Sequence, residues 1–374
     1  MPIETGLALM HDVCTNAGSF ITAYDHDGEK EENIMTVQDF IIEAKKSVAG
    51  FLDSVYEEEI ELIDHDIVKS NDRRLHGFVV RRAGSQEGAN VYIDDLFEMH
   101  ESGEDFDKLM EMLRAKCLFA LECPPPPVDI LDDMDLESIR SRLTLRLLDV
   151  RRNMSYLADR PYIDAGCGLA LVVDIGCDET ILSEWRTTVT DGMLETIGCS
   201  REELLTAAME NTISMEPPLL MNLADYLRTR EEVNILEPAH SGNASEPGPF
   251  ILTNSSQYNG AAVLFYPEML RKLCGLFQGG YYVLPISIHE VLIIPESESP
   301  DEYRLCGMLF TGNRSVVEEG DVLSDKVLHF DPGRECLSVV QAGGTDVISE
   351  ENSFEKNSRP KQLDCVQEPV QYPA

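Results

Sequence analysis

The residues best suited to chemistry form one short run, Ser287-Ile288-His289-Glu290, within an apolar segment. A serine hydroxyl beside an imidazole can act as a nucleophile with its general base, the pair that many hydrolases use. If the run is a strand, Ser287 and His289 share one face and Glu290 points to the other. His289 and Glu290 then cannot act on one substrate unless the strand begins after them.

The same residues also fit a structural role. Buried polar groups normally have hydrogen-bond partners, so His289 and Glu290 would satisfy backbone groups or cap a neighbouring helix. The apolar neighbours of Glu290 are expected to raise the pKa of its carboxyl, which is a weak indicator of a functional site. No third triad member or oxyanion hole is identifiable, and both roles stay open.

A second candidate is the densest basic patch of the chain, within residues 136–157. Apolar residues recur there at steps of three and four, which predicts one long helix with Asp135 as its N-cap. The candidate partner-binding residues on this helix are Arg140, Arg146, Arg151 and Arg152. They would either pair with carboxylates of the protein itself or dock an acidic partner.

Familiar cofactor and catalytic motifs are absent from the sequence. It contains no phosphate-binding loop and no dinucleotide fingerprint, and neither a GxSxG nor an HExxH motif. Its ten cysteines form no CxxC pair and have no histidine cluster beside them, which argues against a zinc site. We therefore expect no cofactor and no metal, and the scattered cysteines indicate reduced thiols in a cytoplasmic protein.

The charge of the chain is strongly acidic, with 68 Asp and Glu against 30 Lys and Arg and a formal net charge of −38. Such a surface repels nucleic-acid phosphate and anionic membranes, so neither is an expected partner. No apolar run approaches the roughly eighteen residues of a membrane span. One special alternative is a DNA mimic that occupies a DNA-binding protein, although the carboxylates follow no regular stripe.

The serine–histidine run belongs to a compact block, Phe250–Pro295, whose pattern predicts the order β-β-α-β-β. Asn259-Gly260 favours a hairpin turn between two strands, because both residues tolerate positive φ. Helical spacing follows over residues 269–277. The last two strands are predicted at 281–284 and 288–294.

The remaining elements repeat the order strand, strand, helix. Strands are predicted at 75–81 and 90–93, before a helix whose apolar stripe is 106, 109, 110, 113 and 117, and strands at 169–175 and 180–189 precede the next helix. Helices are predicted to start at capping boxes, in which residues at the first and fourth positions satisfy each other's backbone N–H groups. The boxes are Thr36 to Asp39, Ser200 to Glu203, and Ser299 to Glu302. Paired strands with intervening helices predict an α+β fold of mostly antiparallel sheets with helices packed on one side.

Composition divides the chain into five parts. They are a poorly structured extension (1–34), an N-terminal α+β part (35–122), a proline-rich spacer (123–135), a main α+β part with the arginine-lined helix (136–340) and a disordered tail (341–374).

Seven stretches of the chain resemble one known family. They are residues 35–41 (MTVQDFI), 76–113, 143–173, 199–212 (CSREELLTAAMENT), 251–267 (ILTNSSQYNGAAVLFYP), 281–295 (YYVLPISIHEVLIIP) and 321–331 (DVLSDKVLHFD). On these residues the chain resembles the bacterial domain of unknown function 5688 family from about Met35 to Asp331. The resemblance implies a bacterial cytoplasmic source and brings with it no activity, cofactor or catalytic residue.

These features predict a bacterial cytoplasmic protein that binds another protein or acts as a regulatory module without catalysis. The first alternative is a hydrolase-like enzyme with a site around Ser287, His289 and Glu290, and the second is the acidic DNA mimic. No pattern in the sequence predicts the oligomeric state.

Overall fold

A computed structural model describes residues 35–85, 88–122, 135–176, 186–239, 248–298 and 301–341 of the chain. The expected extension at 1–34, the spacer up to residue 134 and the tail beyond Gln341 lie outside the described residues. Within the described residues, no helix is both long and apolar enough to span a bilayer.

The N-terminal part contains three helices and five strands among its described residues. They are α1 (Val37–Val55), β1 (Ile60–Asp64), β2 (Ile67–Val68), β3 (Arg74–Leu75), β4 (Gly77–Arg82), β5 (Ala89–Tyr92), α2 (Asp94–Glu101) and α3 (Phe106–Glu122). The capping box at the start of α1 is confirmed, since the Asp39 N–H donates to Thr36 Oγ1 at 3.2 Å and the Asp39 carboxylate accepts from the Thr36 N–H.

A three-stranded antiparallel sheet in the order β1-β4-β5 organises this part, and β2 and β3 form a separate small ladder. One face of the sheet packs against the helices in a hydrophobic core of its own. That core contains Phe40 of α1, Phe78 of β4, Val91 of β5 and Leu113 of α3. β1 and β5 are the two edge strands of this sheet.

The main part adds six helices and ten strands among its described residues. They are α4 (Leu136–Ile139), β6 (Leu143–Asp149), β7 (Tyr162–Gly166), β8 (Leu169–Gly176), β9 (Arg186–Thr188), α5 (Asp191–Ile197), α6 (Arg201–Met215), β10 (Pro218–Asn222), α7 (Leu223–Thr229), β11 (Phe250–Asn254), α8 (Met269–Phe277), β12 (Tyr281–Leu284), β13 (Val291–Pro295), α9 (Glu302–Ser315), β14 (Leu328–Asp331) and β15 (Cys336–Val339).

Two antiparallel sheets form the main part. In one, β8 lies between β6 and β7 and also pairs with β9; the other has the order β10-β11-β13-β12-β14-β15. Alternate residues of the six-stranded sheet, such as Val291 and Leu292, enter different hydrophobic clusters, so both of its faces are buried. The predicted antiparallel α+β class is confirmed.

The predicted long helix over residues 136–157 is wrong. Only Leu136–Ile139 is α-helical, and Leu143–Asp149 is the strand β6, buried along its whole length. Leu143, Leu145 and Leu147 face one hydrophobic cluster, and the polar residues between them have partners on neighbouring strands. Leu143, Leu145 and Leu147 alternate as a strand requires, but Leu143 and Leu147 are also four residues apart, so together with Leu136 and Ile139 they fit a helical stripe. The N-cap role of Asp135 is confirmed, at the start of the short helix α4.

The predicted hairpin at Asn259-Gly260 is also wrong. Asn259 has the expected positive φ of 54°, but the chain then enters a 3-10 helix, Gly260–Phe265. The fourth predicted strand starts at Val291 rather than Ile288, because residues 285–290 pair with a loop around Val322 instead of with a strand. The block Phe250–Pro295 is therefore β11, 3-10 helix, α8, β12 and β13.

Other predicted elements agree more closely with the structure. Ser200 and Glu203 form the expected capping box of α6. Asp301 is the N-cap of α9, while Ser299 and Pro300 lie outside the described residues. Within the expected strand 180–189, only β9 falls in the described part of the chain. The strand β15 was not predicted from the sequence.

The turn between β2 and β3 joins the two parts. Asn71 and Asp72 both have positive φ, at 61° and 50°. Asn71 donates its backbone N–H to Asn153 Oδ1 at 2.6 Å, and its side chain donates to the carbonyl of Val322 at 2.9 Å. Asp72 accepts the N–H groups of Ser155 and Tyr156. The turn is therefore fixed to the main part by hydrogen bonds rather than by apolar packing.

Candidate functional site

Ser287, His289 and Glu290 lie together in the connection between β12 and β13. Ser287 forms an isolated antiparallel bridge with Val322, and the strand β13 begins only at Val291. The three side chains are therefore not divided between two strand faces. The structure meets the condition under which they could act together, and their hydrogen bonds determine whether they do.

The Ser287 hydroxyl closes the turn of this loop. Its oxygen accepts the backbone N–H groups of His289 at 2.9 Å and Glu290 at 3.3 Å, and the hydroxyl also hydrogen-bonds to the Glu290 carboxyl. The pairing of Ser287 with the His289 ring, which a nucleophile and base require, is not formed.

Both nitrogens of the His289 ring face groups of the protein. Nδ1 accepts the backbone N–H of Asn259 at 3.1 Å, which assigns the proton of the neutral ring to Nε2. Nε2 lies 3.5 Å from Asp321 Oδ2. The side chain is only 12% exposed and packs against Tyr258, with 5.3 Å between ring centroids. His289 thus holds the loops around residues 259 and 321 together.

Glu290 is the least satisfied member of the group. The residue is only 7% exposed, and its Oε2 atom has no hydrogen-bond partner among the described residues. Burial raises the pKa of the Glu290 carboxyl above its ordinary value, while His289 and the hydrogen bond from Ser287 oppose the rise. A carboxyl in this setting can hold a proton, and the hydroxyl beside it, that of Ser287, is engaged by two backbone N–H groups of the loop.

Gly260 allows this loop to pack. A Cβ atom at this position would lie 2.1 Å from Thr253 Oγ1 and 2.5 Å from the carbonyl oxygen of His289. Thr253 Oγ1 itself donates to that carbonyl at 2.8 Å. A side chain at residue 260 would therefore separate β11 from the Ser287–Glu290 loop.

The four candidate arginines do not share a face. Arg140 pairs with Glu210 at 2.9 Å, and Arg152 pairs with Asp325. Arg151 is exposed, whereas Arg146 is only 9% exposed and lies inside the structure. A docking role for the exposed arginines stays a prediction, but the single basic surface on which it rested is not formed.

Arg146 organises a buried polar network on β6. Its guanidinium pairs with Asp174 of β8, with Nε 2.9 Å from Oδ2. It also donates to Tyr156 Oη at 2.9 Å, Thr188 Oγ1 at 2.6 Å and Ser70 Oγ at 3.1 Å. Burial opposes the charge, but Asp174 and Tyr156 outweigh that effect and hold the pKa of Arg146 above its ordinary value. This arginine connects three strands to the turn of the N-terminal part.

A larger cavity lies elsewhere, along the edge strand β5. It has a volume of about 450 Å³ and follows all of Ala89–Tyr92. The opposite wall is one face of α3, formed by Lys116, Phe119 and Ala120, and the lining is completed by Arg73, Leu75, Asp94 and Asp95. We call this the β5 groove. It has the size of a ligand-binding site.

Sequence reasoning missed the β5 groove. The strand and the helix that form it were both predicted, but nothing in either pattern shows that β5 is an edge strand. A usable signal was Phe119, a large aromatic residue outside the apolar stripe of α3 and 68% exposed in the structure.

The fold and these sites define an antiparallel α+β protein with a sheet edge that is unpaired among the described residues and lies beside a groove. The chain matches the model of a family of unknown function (DUF5688) over residues 37–332, which is most of its length. The protein therefore belongs to this family, and the resemblance predicted from sequence is confirmed. No curated protein and no solved structure matches the chain.

The close contacts of Gly260 predict that Gly260→Ala lowers the free energy of unfolding by about 1–3 kcal/mol, because Thr253 or His289 must move. Gly275→Ala is a matched control in α8, where a Cβ would meet nothing within 4 Å. It should raise the free energy of unfolding by about 0.5–1 kcal/mol, since alanine favours helix. Urea denaturation measures both changes, and equal effects would contradict the packing described.

Replacing Arg146 by leucine should lower the free energy of unfolding by about 3–5 kcal/mol, because Asp174 is left charged and buried without its partner. Arg151→Leu changes an exposed arginine and should stay within about 0.5 kcal/mol of wild type. Adding Asp174→Leu to the Arg146 variant should recover part of the loss. Guanidinium denaturation checks the three variants; similar losses for Arg146→Leu and Arg151→Leu would refute the buried network.

The raised pKa of Glu290 predicts a pH-dependent effect of Glu290→Gln. As pH rises above about 4.3, the ordinary glutamate pKa, the unfolded chain loses its proton first, and wild type loses stability until the folded-state pKa is passed. The glutamine variant lacks this loss, so its stability relative to wild type should increase between pH 4 and pH 7. Denaturation at several pH values measures the difference; a constant difference would show that the carboxyl titrates normally.

Proposed function

We propose that this protein is a binding module without catalysis, and that an extended segment of a partner protein adds as a strand to the edge of β5. The observation that carries the proposal is a sheet edge that is unpaired among the described residues and borders the β5 groove along its whole length. Strand addition of this kind is a common mode of peptide recognition, in which main-chain hydrogen bonds supply affinity and side-chain pockets supply specificity.

The register of β5 shows which backbone groups face the groove. The Ile93 N–H donates to the His76 carbonyl at 3.0 Å, so these opposite residues form a hydrogen-bonded pair. Such pairs alternate along an antiparallel ladder, and Phe78 with Val91 is the next one. The N–H and C=O groups of Asn90 and Tyr92 therefore point away from β4, where an added strand would meet them.

The groove offers an added strand two surfaces, one face of the helix α3 and the edge of β5. Lys116, Phe119 and Ala120 have helical spacings of three and four, so they present one continuous wall. Residues from both faces of β5 also line the cavity, which shows that it follows the edge itself. An added strand would place alternate side chains against α3 and on the opposite face of the sheet.

The hydrolase alternative has less support. The Ser287 hydroxyl and both ring nitrogens of His289 already contact groups of the protein, and these contacts hold three loops in place. A catalytic role would have to break them. The DNA-mimic alternative stays a prediction from composition.

We further propose a bacterial cytoplasmic setting. Its support is the resemblance to the bacterial family and the scattered spacing of the cysteines.

Asn90→Pro tests the proposed function, because it removes an outward N–H while a free edge strand tolerates proline. The probes are peptides selected from a random phage-displayed decapeptide library on the immobilised full chain. Their affinities, measured by fluorescence anisotropy, should fall about tenfold for Asn90→Pro, as expected when one hydrogen bond is lost.

Asp64→Pro is the control, since it also removes an outward N–H, at the other sheet edge that is unpaired among the described residues, on β1; it removes in addition the exposed ion pair of Asp64 with Lys45. It should bind the selected peptides as wild type does, and circular dichroism should show that both variants fold. If no peptide is selected, or if both proline variants bind equally well, the proposed function is wrong.

A further inference from the structure

We infer that the β5 groove selects an extended peptide of alternating apolar and acidic residues, with the apolar side chains against α3 and the carboxylates beside Lys69 and Arg73. This inference rests on the proposed function and specifies the chemistry of the partner. It follows from the different character of the two faces of β5.

The face of β5 that meets α3 is apolar. Ala89 and Val91 point into the core of the N-terminal part, where Ala120 is also buried. Phe119 stands beside them at the groove and is 68% exposed. An exposed aromatic residue at the rim of a cavity is typical of a binding anchor, and it favours apolar side chains from the added strand.

The opposite face carries positive charge. Tyr92 points to this face because strand side chains alternate, and the Lys69 ammonium lies 5.6 Å from the centre of its ring. The Lys69 N–H donates to the Arg73 carbonyl at 2.8 Å, so the two residues flank one turn. Within the described part of the chain, neither side chain forms an ion pair or hydrogen bond, whereas most of the other basic residues do.

The two acidic residues that line the groove have partners other than Lys69 and Arg73 among the described residues. Asp94 is engaged by His76, with Nδ1 2.9 Å from Oδ1, and Asp95 is engaged by Lys116 at 2.6 Å. Lys69 and Arg73 are therefore two cations without an ion-pair partner among the described residues, and they are complementary to carboxylates of a bound peptide.

The test uses two synthetic heptapeptides with both ends blocked, so that only side chains can supply carboxylates. One is Thr-Val-Glu-Val-Glu-Val-Thr, and the other has glutamine in place of both glutamates. At low ionic strength the acidic peptide should bind the full chain about tenfold more tightly than its glutamine analogue. Raising the salt concentration should remove most of that difference.

Two sets of variants test whether Lys69 and Arg73 cause the tighter binding of the acidic peptide. Lys69→Gln combined with Arg73→Gln should bring the affinity of the acidic peptide down to that of the glutamine peptide, whose own affinity should not change. Arg74→Gln, one residue further along and absent from the groove lining, is the matched control and should leave both affinities as in wild type.

The outcomes separate the two proposals. If both peptides bind equally and Asn90→Pro still weakens both, the acidic preference is wrong and the proposed function stands. If the acidic peptide does not bind although library peptides do, the preference is also wrong. A dimer of the free chain in sedimentation equilibrium that Asn90→Pro dissociates would assign the edge to a second copy and overturn both proposals.

Discussion

The buried ion pair between Arg146 and Asp174 is the constraint on which much of this structure depends. A guanidinium that is only 9% exposed requires a carboxylate and further acceptors, because an unpaired buried charge is very unfavourable. Within the main part, Asp174, Tyr156 and Thr188 accept hydrogen bonds from the Arg146 guanidinium. The remaining donor reaches Ser70, which belongs to the N-terminal part. One side chain therefore fixes the register of a sheet and the position of a turn.

That turn connects the buried network to the proposed binding groove. Ser70, Asn71 and Asp72 are held by the main part through hydrogen bonds to Arg146, Asn153 and the backbone of residues 155 and 156. The two residues that flank the turn, Lys69 and Arg73, project their charges toward the edge of β5. The main part thus positions the cationic side of a groove whose apolar side belongs to the N-terminal part, so the groove needs both parts of the protein.

Local chemistry explains which features could be predicted from sequence. The capping boxes at Thr36 and Ser200 and the approximate positions of β4, β8 and α3 follow from neighbouring residues alone. The long helix failed because the short helix Leu136–Ile139 and the four-residue step from Leu143 to Leu147 in β6 fit one helical stripe by coincidence. Asn259 adopts the predicted positive φ, yet no local signal distinguishes a hairpin turn from entry into a 3-10 helix. The Ser287–Glu290 group was found from its residue types, but its hydrogen bonds involve Asn259 and Asp321, which are distant in sequence.

By itself, the sequence determined the antiparallel α+β class, the positions of most helices and strands, the strong acidity and the family. These properties depend on residue type and short-range spacing. Only the tertiary structure decided that Arg146 is buried, that His289 joins loops and that β5 is an edge strand, unpaired among the described residues, beside a groove. The physical reason is that burial, ion pairing and edge position are set by which distant segments meet, and residues such as Ser70 and Arg146 carry no sequence mark of that contact.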